Sequence, residues 1–120
     1  MKHLFIPYEL AILAKDKGFK ENCISWYYKE EWNAKDAHIF NTFSGNDFNS
    51  RTDLEDVISC PLYQQIIDWF RDKGIMVVEK PAFDWVIYVE SNGAYVIHMY
   101  CANIDHAIKE AFTLIKTPQP

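Results

Sequence analysis

Glycine and cysteine are scarce in this sequence, with four and three respectively among 120 residues. Three of the glycines, Gly18, Gly74 and Gly93, stand at helix-end or hairpin positions, so no glycine-rich phosphate cradle is left over. Cys23, Cys60 and Cys101 lie far apart and are odd in number. They cannot close a complete intramolecular disulfide set and read as reduced, buried thiols of a cytoplasm. No window approaches the roughly 20 apolar residues of a membrane-spanning helix. Pro7 and Glu9 interrupt the apolar stretch that a secretory signal would need, so the expectation is a soluble chain with no membrane partner. Basic residues are outnumbered, 12 Lys and Arg against 17 Asp and Glu, for a net charge of -5. That balance argues against a grip on phosphate backbones, and direct nucleic-acid binding is not expected. The GxSxG, HExxH, CxxC and calcium-loop spacings are missing as well, which sets aside the familiar hydrolase, zinc and calcium chemistries.

What the chain does have is 49% hydrophobic residues and 16% aromatics, enough for one core without metal or disulfide staples. Pro7 to Gly18 and Pro61 to Gly74 each open on proline and close on Asp-Lys-Gly before an apolar residue, the punctuation of a helix. In the first, Leu10, Leu13, Ala14 and Lys17 follow helical spacing, and Phe19 is placed to fold back on the last turn. In the second, Leu62, Ile66, Trp69 and Phe70 form the apolar face, with Ser59 as the expected N-cap. A third helix begins at Asn103, with Ile104, Ile108, Ala111 and Ile115 on one face.

After each of the first two helices the period shortens, and Cys23 to Tyr28 and Ile75 to Glu79 read as strands. Residues 83–90 and 94–100 flank Ser91-Asn92-Gly93, a strong hairpin signal. A two-residue loop puts Ile87 opposite His98 and Trp85 opposite Tyr100. A three-residue loop pairs Val89 with Tyr95, Ile87 with Ile97 and Trp85 with Met99, and is preferred because it stacks apolar on apolar. The expected fold is a single α+β domain over residues 1–116. It has a three-strand antiparallel C-terminal meander, an N-terminal strand or hairpin in which His38 to Phe43 pair back on 24–29, and three helices mainly on one face. Residues 29–58 form an irregular acidic insertion and 117–120 a flexible tail.

Residues 30–56 carry seven acids against two bases, and the remainder of the chain is neutral. Trp32, Phe43, Phe48, Asp53, Glu55 and Asp56 in that stretch are candidates for an acidic, aromatic element that docks on a basic host protein or mimics nucleic acid. The alternative is a solvated loop anchored by its aromatics. His98, Cys101 and His106 offer ligand types close together, but without a spacing that recommends metal, and residues three apart on a strand point to opposite faces, so no catalytic pair, metal or cofactor is assigned.

The preferred hairpin register leaves Val86, Tyr88, Val96, His98 and Tyr100 on the sheet face away from the helices. Tyrosines and a histidine among small apolar residues suit recognition. That face is covered by the insertion or the N-terminal helix within the chain, by a second copy in a homodimer, or by a host protein or ligand.

The segments IPYELAILAKDKGF with Cys23, CPLYQQIIDWFRDKGI and NIDHAIKEAFTLIK resemble a family of small uncharacterised proteins carried by phages and prophages of Bacteroides-type gut bacteria. The resemblance covers about residues 4–28 and 59–116, with PLYQQIIDWFR its most specific part. It implies a phage-encoded protein acting in a bacterial cytoplasm and carries over no catalytic residue. The expected function is therefore a non-enzymatic accessory role by protein–protein binding or self-association. A small-ligand binder or enzyme with a cleft between sheet and insertion is the alternative.

Overall fold

The computed structural model describes residues 4–28, 38–39, 48–50, 57–81 and 84–115. The chain is α+β, with three helices and two three-stranded antiparallel sheets among the described residues. It divides into two compact units, residues 1–63 with 117–120 and residues 64–116.

In the first unit, helix α1 (Tyr8–Asp16) starts after Pro7, whose fixed φ of −68° suits the N-cap, and buries Leu10, Ala11 and Ala14. Its end is the expected reversal. Gly18 takes φ +92°, its N–H donates to the Lys15 carbonyl, and the Phe19 N–H donates to that of Ala14. The paired bonds form a Schellman motif that seats Phe19 with no exposed surface. Strand β1 (Ser25–Tyr28) lies between β2 (His38–Ile39) and β3 (Val57–Ser59). The β1–β2 pairing joins Ser25 to Ile39 and Trp26 to His38, the return expected from the sequence.

Strand β3 is a correction to the reading of 29–58 as irregular, because Tyr27 pairs with Ile58 and Trp26 with Ser59. All three residues of β3 are buried, so it lacks the inside–outside alternation that marks a strand in sequence. Ser59 is accordingly no helix cap. Its Oγ accepts from the Asn49 N–H at 3.2 Å, and its own N–H donates to Asn49 Oδ1 at 2.9 Å. Asn49, on a short 3₁₀ turn (Phe48–Ser50), also donates through Nδ2 to the Phe19 carbonyl at 2.9 Å, so one amide ties the turn to β3 and to the segment after α1. The Pro61 carbonyl accepts from the Ile6 N–H and Leu62 bridges to Phe5, so helix α2 (Tyr63–Arg71) starts two residues later than its proline suggests.

The second unit holds all but the first residue of α2, the strands β4 (Ile75–Lys80), β5 (Asp84–Ser91) and β6 (Ala94–Cys101) in that spatial order, and helix α3 (Ile104–Thr113). Helix α3 packs across all three strands and buries Ala107, Ile108, Ala111 and Phe112. The face expected from Ile104 and Ile115 is thus rotated, with those two residues half-buried at its margin. Phe70 meets Phe112 edge-on at 4.9 Å between ring centres, and Trp69 flanks both. Asn103 caps α3 by accepting from the His106 N–H at 2.9 Å. Asn103→Ala is expected to destabilise the fold by about 1 kcal/mol, read from urea unfolding, while Asn103→Asp keeps the acceptor and most of the stability.

Candidate interaction surface

The hairpin between β5 and β6 sets which side chains share a face. Asn92 and Gly93 have φ of +53° and +84°, and Ser91 pairs with Ala94, so the turn has two residues with both in the left-handed region. This is the type I′ geometry that Asn-Gly favours. Tyr88 lies opposite Ile97 and Glu90 opposite Tyr95. The register then shifts, so that Ile87 faces Met99 and Trp85 faces Cys101, leaving His98 as the extra residue of a bulge.

The expected three-residue loop is therefore incorrect. Carried to the end, the two-residue register would place His98 beside Ile87 on the helix side. The single extra residue returns Met99 and Cys101 to that side, so tight turn and apolar pairing are both satisfied.

Opposed residues share a face. Ile75, Val77, Ile87, Met99 and Cys101 lie toward α3, and the Cys101 thiol is pushed up by burial and by the nearby Glu110 carboxylate. Val86, Tyr88, Tyr95, Ile97 and Tyr100 share the opposite face. Tyr95 and Ile97 thus exchange sides with Val96 relative to the sequence expectation. Val86 does not reach the surface at all; in the middle strand, opposite Val78 and Tyr100, it is 1% exposed. Tyr88 is half-buried, with Lys80 Nζ 5.7 Å above its ring.

The exposed surface is strand β6 itself. Tyr95, Val96, Ile97 and Tyr100 are 41–52% exposed, and His98 is exposed with them. Tyr95 and Ile97 were missed as site residues by the sequence reading because the preferred register turned them inward. Of the acidic-element candidates, Trp32, Phe43, Asp53, Glu55 and Asp56 lie outside the described residues, and Phe48 opens the 3₁₀ turn.

Chemistry finds less support. Among the described residues no group of three or more His, Cys, Asp or Glu is arranged to hold a metal ion, and His106 instead lies 3.6 Å from Glu110. An open cleft of about 490 Å³ includes Lys73, Glu90 and Asn92, but Lys73 Nζ sits 4.5 Å over the Trp69 ring. No residue of β6 lines it.

Cys60, fully buried in the first unit, donates to the Ile6 carbonyl at 3.4 Å, as Tyr27 does at 2.8 Å. Burial pushes its thiol up to about 11, only partly offset by the neighbouring Tyr27 and Ser25 hydroxyls, so it is no nucleophile. The raised value has a stability consequence. The folded thiol keeps its proton to about 11 whereas the unfolded one releases it near 9, so the contribution is complete below pH 9 and is lost as pH rises toward 11. Wild type is expected to lose roughly 2 kcal/mol more than Cys60→Ala between pH 9 and 11, read from urea unfolding; parallel pH profiles would refute it.

The fold and surface define an α+β protein with an apolar, uncharged outer strand on its C-terminal sheet. No family model, curated protein or solved structure matches the chain. Among the described residues no helix is long and apolar enough to cross a membrane.

Proposed function

We propose that this protein acts by protein–protein binding through its C-terminal sheet, with self-association as the primary event and a non-enzymatic accessory role as its purpose. The phage and bacterial-cytoplasm setting implied by the resemblance of PLYQQIIDWFR belongs to the same proposal. One observation carries it: the outermost strand, Ala94–Cys101, exposes four large apolar side chains and bears no Asp, Glu, Lys or Arg. Sheet edges that meet only water are ordinarily blunted by charge, proline or cover. The opposite outer strand, β4, ends in exposed Glu79 and Lys80, whereas β6 has no such device. Sedimentation equilibrium over a range of concentrations is expected to show a reversible dimer, and a single monomeric species throughout would overturn the reading.

A further inference from the structure

The exposed residues of β6 lie on both faces of its sheet. Tyr95, Ile97 and Tyr100 stand on the face away from α3, and Val96 stands on the face toward it, yet all four are 41–52% exposed. A partner stacked on one face would leave the other uncovered. A strand added in the plane of the sheet brings side chains to both, so the exposure pattern selects edge pairing over face stacking.

The turn then fixes which backbone groups are free for it. Ser91 and Ala94 close a two-residue turn and form its hydrogen-bonded pair, and the pairs alternate along the ladder. Tyr95 and Ile97 therefore fall at non-hydrogen-bonded positions, with their N–H and C=O groups directed away from β5 toward the open edge. They bracket Val96, whose own groups are spent on β5.

Resting on the self-association reading above, we infer that β6 pairs antiparallel with β6 of a second copy about a two-fold axis at Val96. Tyr95 of each copy lies opposite Ile97 of the other, and the two three-stranded sheets become one of six strands. This register gives the outward groups of both Tyr95 and Ile97 ladder partners while keeping each side chain on its own face. Moving the axis to Ile97 would set Tyr95 against Met99, which is already engaged with Ile87.

The occupant is a second copy because the strand matches itself. Residues 94–101 carry no charge to be opposed by its like, although the chain as a whole carries -5. Four half-exposed apolar residues on one strand make a patch small beside the about 800 Å² per partner of a standard stable interface, which fits a reversible, concentration-dependent dimer.

Val96→Cys in the full chain tests the register. A non-hydrogen-bonded antiparallel pair brings its Cα atoms to about 4.5 Å, within disulfide reach, and the three native cysteines are buried. Under mild oxidation Val96→Cys is expected to form a disulfide dimer at least about tenfold faster than Lys109→Cys, which places a thiol on the exposed surface of α3. Amide exchange of the unaltered chain supplies a second measurement. The Tyr95 and Ile97 N–H groups are expected to gain protection with rising concentration. A wild-type dimer in which Val96→Cys links no faster than Lys109→Cys and neither amide gains protection overturns edge pairing and leaves self-association standing. A wild type that stays monomeric at every concentration, without fast linkage, overturns both.

Discussion

Ile97→Lys is expected to be a well-folded monomer at concentrations where the proposed β6–β6 pairing makes the wild-type chain a dimer, with the dimer dissociation constant raised at least about 100-fold. Ile97 is the most exposed large apolar residue of β6, at 52%, so little folding energy rests on its side chain and the change in stability should stay within about 0.5 kcal/mol. Its effect on association is large because a two-fold interface counts every substitution twice. Two half-exposed isoleucines lose their burial, and two ammonium groups are brought toward one another across a short ladder. Sedimentation equilibrium gives the constant and near-ultraviolet circular dichroism checks the fold. An unchanged dimer would place the interface elsewhere.

Phe70→Ala is expected to lower the stability of the second unit by about 3–5 kcal/mol, read as an earlier urea midpoint. Phe70 has no exposed surface and stands at the centre of an aromatic cluster, 4.9 Å from Phe112 and 5.5 Å from Trp69. Deleting its ring removes transfer energy and leaves a cavity that rigid neighbours fill poorly. Phe112→Ala should cost a similar amount, and the double variant less than the sum, because the edge-on contact is lost only once. A Phe70→Ala loss below about 1 kcal/mol would mean that the α2–α3 cluster is not the core of this unit. A domain with about 5–15 kcal/mol in total has little room for either substitution.

The helices were legible in the sequence because each carries its own punctuation. Gly18 needs a left-handed backbone and Phe19 needs a place to fold, and those local demands specify the end of α1 without reference to the rest of the chain. Strands β5 and β6 were legible from the Asn92-Gly93 signal between two apolar runs, and β4 from the shortened period after Gly74. Strand β3 was not, since Val57, Ile58 and Ser59 are all buried and show no alternation. The hairpin register failed for a different cause. Turn chemistry demanded one pairing and apolar matching demanded another, and the chain satisfies both with an extra residue at His98, a solution invisible to any argument that assumes a constant register. The two-residue turn moved residues 95–97 to the sides opposite those expected, and the bulge restored the expected sides beyond it, so the candidate surface shifted only next to the turn. Tyr100 and Tyr88 kept the face assigned to them, Val96 moved to the other, Tyr95 and Ile97 joined, and Val86 proved buried.

The two borders of the C-terminal sheet are unlike, and this bears on how large an assembly can grow. Strand β4 finishes in Glu79 and Lys80, while β6 carries no charge along its length. A sheet with two adhesive borders propagates into a fibre, each newcomer offering a fresh margin to the next. On the pairing proposed above, β6 is the adhesive border, so the first encounter consumes the sticky margin of both participants and the growing end disappears. Such a chain tolerates a hydrophobic seam at high abundance: crowding fills the population of pairs and then has nothing further to build.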